Sequence, residues 1–312
     1  MADVPAGPVV LIGQNPTAGS GAQAVRIEQL VEALKLHQLE PRIIPDRDEL
    51  VSLARQHLAD GSLRCVVAAG GDGTVNALLN RTPAGTPIAI LPCGTENLLA
   101  KHLGIPIDPV QVGRVIADGN SICLDAGQAN GQLFLLMLGC GFDAEAVHQM
   151  HAMRSGPIRH WSWIKPIWQT LCRYRFPEVT VQYRAASGGK SSDSDLTTTL
   201  TTRWVFISNL PCYARKLSLS PDADGFDGQL DLCAYNGGSV WSALRFLFGV
   251  IRRQHSQLPG CVTDRGSSFQ LQSSAKVPFQ LDGDPGGYLP VTVTIVPRRA
   301  TLLVPASPVS VD

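Results

Sequence analysis

Before residue 120 this sequence repeats one pattern: a short apolar run, a polar loop containing glycine, then residues at helical spacing. The sharpest instance is Arg64 to Asn76. Cys65 to Ala69 is an apolar run of the length of a buried strand. Gly70-Gly71-Asp72-Gly73-Thr74 follows at once, and Val75 to Leu79 reads as the start of a helix, with Thr74 expected as its N-cap. Val9 to Ile12 leads in the same way through a Gly13 to Gly21 loop into a helix over Ala22 to Leu36. Pro87 to Leu91 leads through Pro92-Cys93-Gly94-Thr95-Glu96-Asn97 into a helix that ends near Leu103-Gly104, where glycine supplies a C-cap. Arg42 to Ile44 adds a strand, Asp46 or Asp48 caps a helix to about Ala59, and a further helix covers Pro109 to Asp118. Alternation of this kind dictates a parallel sheet of βαβ units. The loops leaving the carboxyl ends of such strands share one edge, where ligands bind.

What those loops offer is mostly bare backbone. Glycine has no Cβ to hold a phosphate away from backbone N–H groups, and a helix N-terminus adds dipole charge. Asp72 is out of place for simple anion binding. It repels phosphate unless it holds Mg²⁺, a ribose hydroxyl or a water. The plainer alternative is a turn whose Asp satisfies nearby amides. Asn15, Thr17 and Ser20 bring polar groups to the first loop, or else only cap and turn it.

The pattern changes after residue 120. Ile122 to Gln128 and Gln132 to Leu138 flank Ala129-Asn130-Gly131, a good hairpin turn. Val179 to Tyr183, Leu196 to Thr202, Trp204 to Ser208, Gln229 to Ala234, Phe269 to Gln272, Pro278 to Leu281 and Val291 to Val296 alternate or are β-branched, with Gly, Pro and Asp turns between them. They predict an antiparallel sandwich or barrel-like second domain. The expected division is 1–120 for the α/β domain and 121–299 for the β domain. Thr301 to Val304 is a last strand, within 300–305, that returns to the first domain. Ala186 to Asp195 is a polar insertion read as a mobile loop tip.

The 312 residues leave room for two cores, and 44% hydrophobic against 17% charged residues excludes disorder. A formal net charge of zero gives a nucleic-acid partner no global electrostatic support. The eight cysteines show no C-x-x-C and no zinc spacing, which points to a reducing compartment and no cysteine-built metal site. The N-terminus lacks signal-peptide character and no window is long and apolar enough to cross a bilayer, so a cytoplasmic protein, soluble or peripheral at the inner membrane face, is expected. No internal repeat stands out, and the oligomeric state stays open, a homodimer included.

Several acids are candidates for chemistry. Asp284 lies in Asp282-Gly283-Asp284-Pro285-Gly286-Gly287, which holds one carboxylate at a turn or is a plain hairpin, and Asp282 competes with it for any role. Asp222, Asp224 and Asp227, with Gly225 and Gly228, resemble a hard-cation loop too short for an EF-hand, or a solvated acidic turn. Asp143 is expected to cap a helix from Ala144, or else to touch the head group of an acceptor. The 154–175 stretch mixes Trp161, Trp163, Trp168 and Tyr174 with Arg159, Lys165, Arg173 and Arg175. That mixture suits a membrane interface, or an ordinary packed helix. Trp241 to Arg253 is a similar helix, expected to be mostly core because its apolar face is broad.

Taken together the motifs resemble the catalytic domain shared by diacylglycerol kinases and sphingosine kinases, nearest to bacterial soluble lipid kinases of the YegS type. The resemblance rests on Gly70 to Asn76, on Leu91 to Pro106, on Asn15-Pro16-Thr17-Ala18-Gly19, on Pro221 through Asp231, and on Leu281-Asp282-Gly283-Asp284 with Pro290, in order along nearly the whole chain. It implies an N-terminal α/β nucleotide domain and a C-terminal β-sandwich, with ATP in the cleft between them. It implies phosphoryl transfer from ATP-Mg²⁺ to a lipid hydroxyl at a membrane surface. By the same resemblance Asn15, Thr17, Gly70, Gly71, Asp72, Gly73, Thr74, Val75, Asn76, Gly94, Thr95 and Asn97 contact ATP, and Asp227 with carbonyls of Asp224 and Gln229 forms a structural Mg²⁺ site. Asp284 is then the catalytic base. Two positions depart from the family. It usually has Glu at Asp284, and often Asp at Leu98, where a carboxylate would complete a capping-box-like pair with Thr95. These departures keep open a non-catalytic, nucleotide-dependent lipid sensor. A kinase of a soluble nucleotide such as NAD shares the Gly-Gly-Asp-Gly signature, but the Gly94 to Pro106 segment and the Trp-rich stretch argue against it.

Overall fold

The computed structural model describes residues 7–13, 21–152, 174–185, 197–214 and 217–306. The Asn15 and Thr17 loop, the tryptophans of 154–175 and the 186–195 insertion therefore lie outside the described residues. The chain divides into two compact units, one of 1–124 with 298–312 and one of 125–297.

In the first unit the elements run β1 (Val9–Gly13), α1 (Gly21–Leu36), β2 (Glu40–Ile44), α2 (Arg47–Ala59), β3 (Leu63–Gly70), α3 (Asp72–Arg81), β4 (Pro87–Pro92), α4 (Leu98–His102) and α5 (Pro109–Asp118), and then β5 (Ser121–Ala129) crosses the boundary. In the second come β6 (Gln132–Phe134), β7 (Met137–Cys140), α6 (Phe142–Ala152), β8 (Val179–Ala185), β9 (Thr197–Thr202), β10 (Trp204–Ser208) and β11 (Leu230–Tyr235). α7 (Val240–Ile251), β12 (Cys261–Gln272), β13 (Pro278–Leu281) and β14 (Asp284–Tyr288) follow, and β15 (Val291–Leu303) closes the chain.

The first unit is a parallel sheet in the order β15-β4-β3-β1-β2, with Val66 opposite Ile88 between β3 and β4. β3 and β4 are buried from end to end, so the runs Cys65 to Ala69 and Ile88 to Leu91 have no polar face to show. Side chains tie the helices to strand and helix ends. Gln23 Nε2 of α1 donates to Ala69 O at 2.7 Å, and Arg26 Nη1 to Pro92 O at 2.6 Å. Arg64 donates to Ile116 O and Ala117 O, meeting the open carbonyls at the end of α5. Asp46 caps α2 by accepting from Asp48 N and Glu49 N.

The second unit is antiparallel, ordered β14-β13-β7-β10-β11-β12-β15, with β8 on β12 and β9 on β8. Its core collects Phe134, Val181, Val205, Ile207, Leu232, Phe269, Phe279 and Val293 from alternate strand positions. Asn130 and Gly131, both at positive φ, turn β5 into β6.

Three strand readings need correction. The strand expected over Gln132 to Leu138 is two, β6 and β7, because the amides of Leu135, Leu136 and Met137 turn to the Asp282 carboxylate at 2.8–2.9 Å instead of to a neighbouring strand. The Asp284-Pro285-Gly286-Gly287 stretch, read as turn alone, is the edge strand β14. Its proline is tolerated because, among the described residues, β14 pairs on one side only, and Gly286 leaves room for the Phe279 ring, which a Cβ would strike. Val291 to Val296 and Thr301 to Val304 are one continuous strand, β15, with Arg298 at φ 53°. Arg299 then donates to Leu79 O and Thr82 O at the end of α3.

Candidate active site

Both groups of residues singled out from the sequence are built on short bends held by a carboxylate. In the first unit β3 ends at Gly70 and α3 begins at Asp72, so Gly71 is the N-cap and Thr74 stands inside the first turn. This corrects Thr74 as the cap: Thr74 N and Val75 N both bond back to Gly71 O, at 2.9 and 3.3 Å, so the first turn starts from Gly71. Gly70 packs directly on the Thr74 side chain, and Gly71 and Gly94 lie back to back. A Cβ on Gly94 would stand 2.6 Å from Gly71 Cα and 2.7 Å from Asn97 Oδ1. Glycine is required here by close approach of two backbones.

Asp72 joins these two loops. Its Oδ2 accepts from Leu98 N at 2.9 Å and its Oδ1 from Leu99 N at 3.0 Å. It therefore caps α4 from a different helix. Thr95 is not that cap, a second correction. The N-cap residue is Asn97, in the left-handed region at φ 47°, and its side chain instead closes the loop by pairing with Gly94 N at 2.9 Å and Gly94 O at 2.8 Å. The weakened cap expected from Leu98 does not arise, because Asp72 supplies the oxygens. Burial pushes the Asp72 carboxyl above the usual carboxylate range, against the opposite pull of the Leu98 and Leu99 amides. Around this clamp Gly73, Gly94 and Thr95 are exposed, and Gly71, Asp72, Thr74 and Asn97 half-buried. Val75 and Asn76 are buried within α3, where Asn80 Nδ2 donates to Asn76 Oδ1 at 2.6 Å.

In the second unit Asp282 and Gly283, at φ 51° and 88°, make a two-residue hairpin between β13 and β14. Its two acids stand in different surroundings. Asp282 accepts from three backbone amides, Leu135, Leu136 and Met137. Asp284, the first residue of β14, is about half exposed at 47%, and His151 Nε2 of α6 lies 3.4 Å from its Oδ1. That is ion-pair distance with an alignment short of a hydrogen bond. Sequence reading passed over His151, although His148 and His151 stand three apart on α6, a spacing that puts both on one face. His148 meets Phe279 O of β13 at 3.0 Å, which holds that face of α6 against the hairpin.

Asp143 is the third correction. It does not cap α6: its oxygens accept from Tyr213 Oη at 2.6 Å and Gln280 Nε2 at 3.1 Å. Burial raises its carboxyl, opposed by those two bonds, and raises the Tyr213 hydroxyl well above its ordinary value. Gln280 Oε1 accepts from Gly283 N at 2.7 Å, so this buried chain of bonds ends on the hairpin that carries Asp284.

The acidic loop is organised by an arginine. Arg265 Nε meets Asp231 Oδ1 at 3.0 Å, Nη1 stands 3.7 Å from Asp227 Oδ2, and Nη2 donates to Asp222 O at 2.8 Å. Asp227 Oδ1 accepts from Gln229 N, Asp224 Oδ1 from Phe226 N, and Asp125 Oδ2 from Gly228 N. Arg265 thus neutralises much of the negative charge that would draw a cation. Gln229 Oε1 is buried without a hydrogen-bond partner, one oxygen where a hard cation needs six or more. Among the described residues no group of three or more His, Cys, Asp or Glu side chains is placed to hold a metal ion.

Residues 9–129 match the family model of the diacylglycerol kinase catalytic domain, and residues 136–304, more than half of the 312, match the YegS C-terminal NAD kinase beta sandwich-like domain. A diacylglycerol kinase of Bacillus subtilis (strain 168) is 25% identical over 244 residues, 77% of each chain. One of Staphylococcus carnosus (strain TM300) is 25% identical over 231 residues, 72% of this chain and 71% of that one. Among solved structures, that of a diacylglycerol kinase from Bacillus anthracis str. Sterne superposes with a TM-score of 0.68 at 20% identity, covering 96% of this chain and 97% of the other. That likeness speaks for the fold: parallel α/β first, mostly antiparallel β second. With the two family models following one another in the order in which the two units are built, this chain belongs to the bacterial diacylglycerol kinase family, a catalytic domain continued by a YegS-type sandwich.

Proposed function

We propose that this protein transfers the γ-phosphate of ATP to a lipid hydroxyl, with diacylglycerol-like lipids as acceptor. The observation that carries the reading is the division of labour at the β13–β14 hairpin. Asp282 is spent on three amides, and its neighbour but one, Asp284, is left half exposed beside a histidine.

Phosphoryl transfer asks for alignment and charge stabilisation more than for covalent help. The Gly71–Gly94 contact and the Asp72 clamp fix two glycine loops so that backbone N–H groups, with no Cβ in the way, serve the phosphates. Asp72 is not free to turn toward a metal, since both its oxygens face amides. Mg²⁺ bound with the triphosphate would neutralise its charge and would need few protein ligands. Asp284 accepts the proton of the acceptor hydroxyl. His151 beside Oδ1 fixes the carboxylate's orientation and leaves Oδ2 for that hydroxyl. A carboxylate one methylene shorter than Glu is then compensated by being held. No step is assigned to an ion at Asp227.

The test is transfer of labelled γ-phosphate from ATP to a panel of diacylglycerol, ceramide, sphingosine and NAD. Label on diacylglycerol that disappears in Asp284→Ala supports the reading. Label on NAD alone replaces it with the soluble-nucleotide kinase. ATP binding with no labelled product replaces it with the sensor.

A further inference from the structure

α7 is apolar on two faces, and only one of them has a place in the core. Ala243, Phe246, Gly249 and Val250 are buried. Phe246 stacks on Tyr235 with centroids 4.7 Å apart and touches Trp204, Phe206 and His255. Gly249 lies against His255 and Leu258 of the turn that follows. The Ser239–Ser242 capping box fixes the other end. So the helix is held rigidly by one stripe. The opposite stripe is solvent-facing: Val240, Trp241 (81% exposed), Leu244, Leu247, Phe248 (57%) and Ile251 (57%) recur at helical spacing. The expectation that this helix is mostly core is corrected by these exposures.

Six large apolar side chains in one exposed row need an occupant. The surrounding charge selects it. No Asp or Glu occurs from Leu232 to Thr263, whereas Arg245, Arg252 and Arg253 lie on α7 and directly after it. The Arg252 guanidinium sits 4.8 Å from the centroid of the exposed Phe248 ring, placing a cation at the rim of the apolar row. A row of Trp, Phe, Leu and Ile edged by arginines, on a segment that itself carries no acid, matches the interfacial layer of an anionic membrane, where rings sit at headgroup level and guanidinium groups meet phosphates. The first unit also has an apolar exposed row, Val25, Leu36 and Val110, but Glu28 and Glu32 line it, and an anionic surface would be repelled there.

We propose that the exposed face of α7 is the surface by which this protein docks, in the plane of the interface, on an anionic bilayer. The lipid-kinase reading gives docking a purpose, but the docking itself does not depend on which lipid, if any, is phosphorylated.

The experiment is co-sedimentation of the full-length protein, without nucleotide, with phosphatidylcholine vesicles containing or lacking phosphatidylglycerol. Wild type is expected to pellet with the anionic vesicles and to be released by salt. Arg252→Glu with Arg253→Glu should weaken binding by about fivefold or more per arginine. Trp241→Ser with Phe248→Ser and Ile251→Ser should weaken it about tenfold or more at an unchanged melting temperature. Should the triple variant fail to fold, the charge reversal alone still decides. Binding equal to wild type in both variants overturns the proposal, as does wild type that ignores anionic vesicles. A lipid-independent dimer that the triple variant abolishes, with no vesicle binding, makes the face a self-association surface instead. A phosphorylation assay separates the two readings. The α7 variants should keep activity on dispersed short-chain diacylglycerol and lose it on vesicle-embedded substrate. A protein that pellets with vesicles yet phosphorylates no lipid upholds the docking and ends the kinase reading.

Discussion

Asp72 and Asp282 do the same work in different surroundings. Each is the conspicuous carboxylate of a glycine-containing bend, and each is spent on backbone amides of another segment: Asp72 on Leu98 and Leu99, Asp282 on Leu135, Leu136 and Met137. What differs is what remains nearby. Beside Asp72 the exposed groups are glycine backbone and Thr95, suited to an anion. Beside Asp282 there is a second carboxylate, Asp284, half exposed and next to His151. The clamp is common to both bends, and the chemistry is set by its neighbours. A motif's most visible residue can therefore be its scaffold.

The largest effect expected from this comparison is at the second bend. Asp284→Asn should lower phosphoryl transfer by roughly 10²–10⁴-fold with little change in melting temperature, which steady-state kinetics and calorimetry would check. A comparable loss from Asp282→Asn at full stability would reverse the assignment. Next, Asp282→Ala orphans three amides and should cost about 2–4 kcal/mol in denaturant unfolding, more than Asp72→Ala, which orphans two. Equal costs would show that water replaces one of the three bonds. Third, Gly94→Ala forces apart the Gly71 contact and should cost about 1–3 kcal/mol and weaken ATP binding measured by calorimetric titration. Unaltered ATP affinity would remove this contact from the nucleotide site.

Protonation distinguishes the clamps more finely. With the folded-state pKa of Asp72 raised by burial, the folded protein binds more protons than the unfolded chain between about pH 4 and that raised value. Stability contributed by Asp72 is thus greatest below the unfolded value and falls as pH rises through the folded one. The melting temperature of wild type minus that of Asp72→Asn should shrink from pH 4 to pH 7. A difference that grows instead means that the Leu98 and Leu99 amides outweigh burial. The smallest effect is at Leu98. Since Asp72 already serves its amide, Leu98→Asp should shift stability by no more than about 0.5 kcal/mol, destabilising if anything through the like charge.

The first unit was legible because its strands are buried on both faces and its helices carry a 3.6-residue pattern, two periods that do not imitate each other. The second was legible where strands alternate and failed where they do not. Cys261 to Gly266 is largely polar and ends in glycine, yet it is strand because β11 pairs along it. Pro285 and two glycines hid β14, which an edge position permits. Leu135 and Leu136 looked like strand because nothing near them in sequence shows that a carboxylate some 146 residues away takes their amides. The same blindness applies to the candidate site. The glycines and Asp284 could be read locally, but Asp72 as cap of α4, His151 beside Asp284 and Arg265 among the acids are tertiary pairings that no local period encodes. For α7 the pattern misled in a different way: breadth of apolar surface says that a face needs covering, not that the protein itself covers it.

β15 has a consequence for how the chain is made. Its last residues supply the strand beside β4, with Leu302 opposite Ile88, and β5 pairs β15 in turn, so the first sheet takes in residues far apart in sequence. During synthesis the edge of β4 stays bare until β15 has been made, and such an edge invites pairing with other chains. A nascent chain or a fragment ending before residue 298 should be sticky where the chain that includes β15 is not, and the end of β15 acts as the seal on that edge.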